Sequence, residues 1–263
     1  MSWLSSLPAA VLVAGWLGLA LLVAAGGRVG IRALVPSGAH EEVQQIAPPL
    51  MPALGAAFAI FAALTLASEA GYLRAAEGLV SDEASAASRL AWASTSPGID
   101  SEPIRSALQD YLEATRAGEW DGAAAREGDD RATGLALARL ERLVRAEAAR
   151  PELGTPASTE LLASLDAVTS TRRARIAASS REIPALYVLT LVAAGMALVF
   201  NAGALTFRST LRAAVLTVGL ACVVGLSLAL LFAITGPWRG PMVVDGHPVD
   251  QVRQDLVDGF FSE

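Results

Sequence analysis

The chain of 263 residues has no lysine, one cysteine and two histidines. Each shortage closes off a kind of chemistry. The lone thiol, Cys222, allows no intrachain disulfide and no zinc spacing, and reads as a small apolar packing residue. His40-Glu41-Glu42-Val43-Gln44 falls short of the HExxH zinc motif, because Gln44 stands where the second histidine must be. There is no P-loop, no GxSxG elbow and no His/Cys cluster. The reading is therefore of a non-enzyme with no catalytic residue, metal ligand or cofactor site. All 20 basic residues are arginine, against 26 acids, for a net charge of −6. With no basic footprint, nucleic acid is not an expected partner.

The chain is instead rich in uninterrupted apolar sequence. Hydrophobic residues make up 53% of it, and its mean hydropathy is +0.46. The excess collects in four charge-free runs: Leu7–Ala25, Pro48–Ala67, Ile183–Phe207 and Ala213–Thr235. At about 1.5 Å per residue, each run is long enough for the roughly 30 Å hydrocarbon core of a bilayer. Lipid offers the backbone no hydrogen-bond partner, and the runs show no alternation, so each is read as a helix. Met1–Ser6 carries no arginine or lysine, which argues against a cleaved signal in favour of a retained first span. The expected fold is all-α, an integral membrane protein with four transmembrane helices and a helical extramembrane domain between spans two and three. The expected divisions are residues 1–68 with spans at about 7–25 and 48–67, the amphipathic domain 69–182, a second hairpin of spans 183–235, and a Pro/Gly exit with a short amphipathic tail, 236–263.

Gly26–Ala47 reads as a polar link, and Pro48, Pro49 and Pro52 fit the first turn of span two, where their missing N–H groups cost little. Beyond Glu69, the spacing of Leu73, Ala76, Val80, Ala87 and Leu90 continues the helix as a coiled-coil-like seam. Pro97-Gly98 ends it. Three further helices follow. Ser101–Gly118 buries Ile104, Ala107, Leu108, Tyr111 and Leu112. Arg131–Arg150 turns Leu135, Leu140, Leu143 and Val144 inward. A helix from Thr155 buries Leu162, Leu165, Thr169 and Ile176. Glutamate–arginine pairs in this domain read as solvated surface pairs. In the tail, Pro248–Gly259 places Val249, Val252, Leu256 and Phe260 on one side.

Helices in lipid associate where small residues let backbones approach. Span one offers Ala10, Ala14 and Gly18; span two, Gly55, Ala59, Ala63 and Ala67; span three, Ala193, Ala197 and Asn201; span four, Ala221, Gly225 and Ala229. On the opposite face of span two stand Leu54, Phe58, Phe61 and Leu64, of which Leu54, Phe58 and Phe61 are candidates for an apolar pore constriction. Glu69, at the membrane boundary, has two readings: it meets water, or it faces a central axis as a ring of charge. Asn201 is the one strongly polar residue placed inside a span.

Several local motifs resemble the bestrophin-like membrane proteins widespread in bacteria. Glu69 resembles the acidic residue after that family's second span, Glu119-Trp120 its Glu-Trp-Pro, and Arg172-Arg173-Ala174-Arg175 its Arg-Arg-x-Arg. Ile183-Pro184-Ala185-Leu186-Tyr187 is similar to its Ile-Pro-x-x-Trp, and Pro237-Trp238-Arg239-Gly240 to its Pro-Phe-Ser-Gly exit. Here Asp121 follows Trp120, and Tyr187 replaces the tryptophan. The resemblance implies architecture more than activity: a homo-oligomer in the bilayer of a bacterial inner membrane, with a second span lining an axis as in the bestrophins, the anion channels for which the family is named. The alternative is a non-conducting scaffold whose residues 101–150 bind a protein partner.

Overall fold

A computed structural model describes residues 7–36, 38, 40–120, 130–179, 184–207, 211–235, 238 and 243–261. Among these, helices are the only regular structure: α1 (Ala9–Leu34), α2 (His40–Ala93), α3 (Ser101–Thr115) running into a π turn (Arg116–Trp120), α4 (Arg131–Ala148), α5 (Thr155–Ser179), α6 (Ala185–Leu205), α7 (Leu211–Ile234) and α8 (His247–Val257). Four of them, α1, α2, α6 and α7, are long and apolar enough to cross a membrane. The all-α, four-span architecture expected from the apolar runs is therefore present. The chain divides into two compact units. One comprises Met1–Tyr72, Glu182–Gly236 and Gly240–Met242; the other comprises Leu73–Arg181, Pro237–Arg239 and Val243–Glu263.

In the first unit, α1, α6 and α7 pack on one another. Two sequence boundaries need correction. The first helix does not end at Ala25 but continues through Gly26 and Gly27 to Leu34, and the second begins at His40, well before the prolines. Gly27 is a packing glycine: a Cβ there would overlap the backbone carbonyl of Phe200. Pro48, Pro49 and Pro52 thus lie inside α2, beyond its first turn. Interior prolines are tolerated in spans where neighbouring helices supply polar contacts. The Asn201 side-chain amide donates to the Ala47 carbonyl at 2.9 Å, a tie from α6 beside the proline pair; the carbonyls that the prolines leave without a helical donor are those four residues earlier, at 44, 45 and 48.

The contact face of α1 also differs from the expected stripe. Ala10 and Ala14 are exposed, whereas Leu12, Ala20, Ala24 and Gly27 are buried. The spacing is the same, but the face is rotated by two residues, which puts Trp16 in a stack on Phe232 with centroids 4.9 Å apart. Gly203 lies against the Ala24 carbonyl so closely that a Cβ would overlap it, and Gly225 would place a Cβ 3.0 Å from Leu17 Cα. These are backbone-to-backbone approaches, the kind of contact that holds helices together when apolar burial gains little.

The second unit has a conventional apolar core. It joins Ala76, Val80, Ala87 and Leu90 of α2 to Ile104, Leu108 and Leu112 of α3, Leu140 and Val144 of α4, and Leu161, Leu165 and Val168 of α5. Val249 and Val252 of α8, with Phe261, close it. Gly98 takes the positive φ, 89°, that the turn between α2 and α3 requires. Leu135 and Leu162 face out rather than in, and Phe260 is exposed while Phe261 is buried. In α4 the inward phase is set by Thr133, Leu137, Leu140 and Val144, with Asp130 accepting from the Thr133 N–H as the N-cap.

Gly203→Leu is expected to destabilise the protein by at least the ~1–3 kcal/mol usual for overpacking, since the obstacle is backbone. Gly15, with nothing within 4 Å of an added Cβ, should accept alanine with a gain of up to about 1 kcal/mol. Thermal unfolding of the full chain in detergent distinguishes the two.

Candidate functional site

The extramembrane unit holds a group of charges that the surface-pair expectation does not describe. Arg172 and Arg175, three apart on α5, share a helix face, and both are buried. Their partners are acids from two other elements. Arg175 Nε donates to Glu83 Oε2 at 2.5 Å, and its Nη2 reaches Glu83 Oε1 at 3.3 Å. The same Nη2 donates to Glu119 Oε2. Arg172 Nη2 donates to Glu119 Oε1 at 2.7 Å, and the Tyr111 hydroxyl donates to Glu83 Oε1. Surface solvation is ruled out for these four charges because each carboxylate oxygen is already taken by a buried donor.

The elements explain the convergence. Glu83 sits on the α2 seam, three residues after Val80 and four before Ala87. Tyr111 belongs to the buried stripe of α3. Glu119 is turned inward on the π turn, four residues after buried Thr115. Gly118 makes that turn possible: a Cβ there would lie 2.7 Å from a carboxylate oxygen of Asp130. Trp120 covers the cluster, with the Arg175 guanidinium carbon 4.7 Å from its ring centroid, a cation–π geometry. Its indole N–H donates to the Val244 carbonyl at 3.3 Å, and its ring meets Trp238 edge-on at 6.2 Å. The C-terminal segment is thereby fastened to the same cluster.

Two positive and two negative charges cancel, so the group is neutral. Burial by itself would push the Arg175 pKa down, but the charges and hydrogen bonds of Glu83 and Glu119 outweigh it, and the net shift is upward. Burial, then the Glu83 charge and hydrogen bond, push the Tyr111 phenol well above its ordinary value. Both residues keep their protons throughout the physiological range. With its carboxylates saturated by donors, the cluster is suited to holding α2, α3 and α5 in register rather than to proton transfer. No grouping of acids, histidine and cysteine able to hold a metal occurs among the described residues.

The structure thus brings together Glu119, Trp120, Arg172 and Arg175, and adds Glu83 and Tyr111, which the sequence reading did not nominate. Arg173 is exposed and stands apart. Pro184 is the N-cap of α6, and Asn201 makes its bond within the membrane unit. Pro237 and Gly240 lie outside the described residues. Of the span-two candidates, Phe58 is buried and packs on Gly195 and Val224. Leu54 and Gly55 are half-buried, while Ala59, Phe61 and Ala63 are exposed. Glu69 is buried. Between residues 48 and 67, the most exposed large apolar residues are Leu64 and Ile60, at 67% and 58%.

These features define a multi-pass helical membrane protein with a separately packed helical unit. The chain matches the Bestrophin-like domain over residues 18–249, nearly its whole length, and belongs to that family. No curated protein and no solved structure matches it.

Arg175→Met should cost about 3–5 kcal/mol, because it strands two buried carboxylates. Tyr111→Phe should cost about 1.5–3 kcal/mol at neutral pH, the worth of a hydrogen bond to a charged group. The folded state raises the Tyr111 pKa, so its contribution is complete below the unfolded value of about 10 and is lost as pH rises beyond it. The stability gap between wild type and Tyr111→Phe is therefore expected to shrink above that pH in denaturant titrations.

Proposed function

We propose that the protein is an oligomeric, bestrophin-like channel of a bacterial inner membrane, with α2 of each copy facing the shared axis. One observation carries this reading. Only 6% of the most apolar stretch of α2 is buried within its own chain, against 17%, 50% and 44% for α1, α6 and α7. A span so little used by its own bundle has a free face for other copies. On that face Ala59, Ala63 and Ala67 are exposed beside Ile60 and Leu64, a mixture of small and bulky residues suited to close packing.

The placement of Glu69 supports the same reading. At about 100° per residue, Glu69 falls within some 20° of Phe58 around the helix. Both are buried, so the carboxylate belongs to the inward side and would not ring the axis. What remains toward the axis is apolar. Ile60 and Leu64, with Phe61 at the shoulder, would form a constriction that gates by excluding water. The anion preference implied by the bestrophin likeness then meets no opposing ring of carboxylates.

Purified protein in planar bilayers is expected to pass current, and Leu64→Ser should increase it by wetting the constriction. Absence of current over a range of salt and pH, from protein verified as an oligomer, contradicts conduction. With Cys222→Ala as background, Ile60→Cys should form disulfide-linked dimers under mild oxidation in membranes, whereas Leu191→Cys, buried in its own bundle, should not.

A further inference from the structure

We propose that an apolar cavity between α2, α6 and α7 holds the acyl chain of a membrane lipid. The cavity has a volume of about 120 Å³ and is walled by Phe58, Ala62 and Leu66 of α2, Leu191 of α6, and Ser227 and Leu231 of α7. Ser227 is the only polar side chain in that wall, and its hydroxyl donates to the Val223 carbonyl of its own helix at 2.8 Å. Water in a cavity needs two to four polar partners, and an apolar protein cavity of about 150 Å³ is known to stay dry and to bind hydrocarbon. This cavity therefore favours hydrocarbon over water.

Its position names the source. The wall residues of α2 lie in the turns just before Glu69, and Leu191 lies two turns inside the start of α6. These positions fall inside the apolar spans, so the cavity lies at membrane depth. Leu230 of α7 also borders it and is exposed, which opens it sideways, where acyl chains are the surrounding medium. A second copy packed on Ile60 and Leu64 does not fill it: Ala62 and Leu66 lie about 120–160° around the helix from Ile60. Ala63 borders the cavity from the face proposed for a second copy, so the test below separates a lipid chain from a protein neighbour.

The test uses the full chain in liposomes containing a phosphatidylcholine with a diazirine at mid-chain. After photolysis, labelled positions are mapped by peptide mass spectrometry. Leu189, 64% exposed and at nearly the same depth as Leu191, serves as the bulk-lipid reference. Labelling within Phe58–Leu66 or Ser227–Leu231 should exceed that at Leu189 severalfold. Filling the cavity with Ala62→Leu or, separately, Ser227→Leu should bring it down to the reference level while Leu189 labelling stays unchanged, which shows that the variant is folded in the bilayer. Cavity labelling no greater than at Leu189, or unaffected by both fillings, overturns the proposal. So does intermolecular disulfide formation by Ser227→Cys in a Cys222→Ala background, since a protein neighbour then occupies the site.

Discussion

Backbone touching backbone is the contact on which the membrane unit depends. Lipid tails compete on equal terms for every leucine, so burial alone gives the spans little reason to stay together. Gly203 against the Ala24 carbonyl, Gly27 against the Phe200 carbonyl and Gly225 against Leu17 provide that reason. The three approaches fix α1 to α6 and α7, and the larger side chains, such as the Trp16–Phe232 stack, fill the space they define. Asn201 adds a polar tie from α6 to the proline-bearing start of α2.

The extramembrane unit solves a different problem. Its helices α3, α4 and α8 are amphipathic, and its core is alanine-rich along α2. Such a surface specifies register weakly. The Glu83–Arg175–Glu119–Arg172 cluster specifies it strongly, because any slip leaves charges buried without partners. Tyr111 and Trp120 extend that demand to α3 and the C-terminal segment. Since α2 carries both Phe58, packed in the membrane unit, and Glu83, bound in the cluster, a single continuous helix takes part in both packing schemes.

Much of the architecture was legible in the sequence because its signals are coarse. Charge-free runs of spanning length, and the three-four spacing of Ile104, Leu108 and Tyr111, need no tertiary information. Element ends were less legible. Nothing in Gly26-Gly27 announces whether a glycine pair stops a helix or packs inside one, and only the neighbouring Phe200 decides. The site was half legible. The Arg-Arg-x-Arg and Glu-Trp motifs marked four of its members, yet arginines and glutamates on amphipathic helices are usually solvated. Glu83 left one usable trace, a charge at a seam position between Val80 and Ala87. Which face of span two is free was not readable, because its alanines are spread around the helix and burial depends on where α6 and α7 sit.

The proposal that other copies of the chain meet the free face of span two is open to one direct measurement. Mass measurement of the protein extracted from membranes directly into lipid nanodiscs tests this without detergent disturbing the contact. The prediction is a single species whose protein mass is a whole multiple of the 27.1 kDa chain, greater than one. A particle containing one chain, stable across protein concentrations, would contradict it.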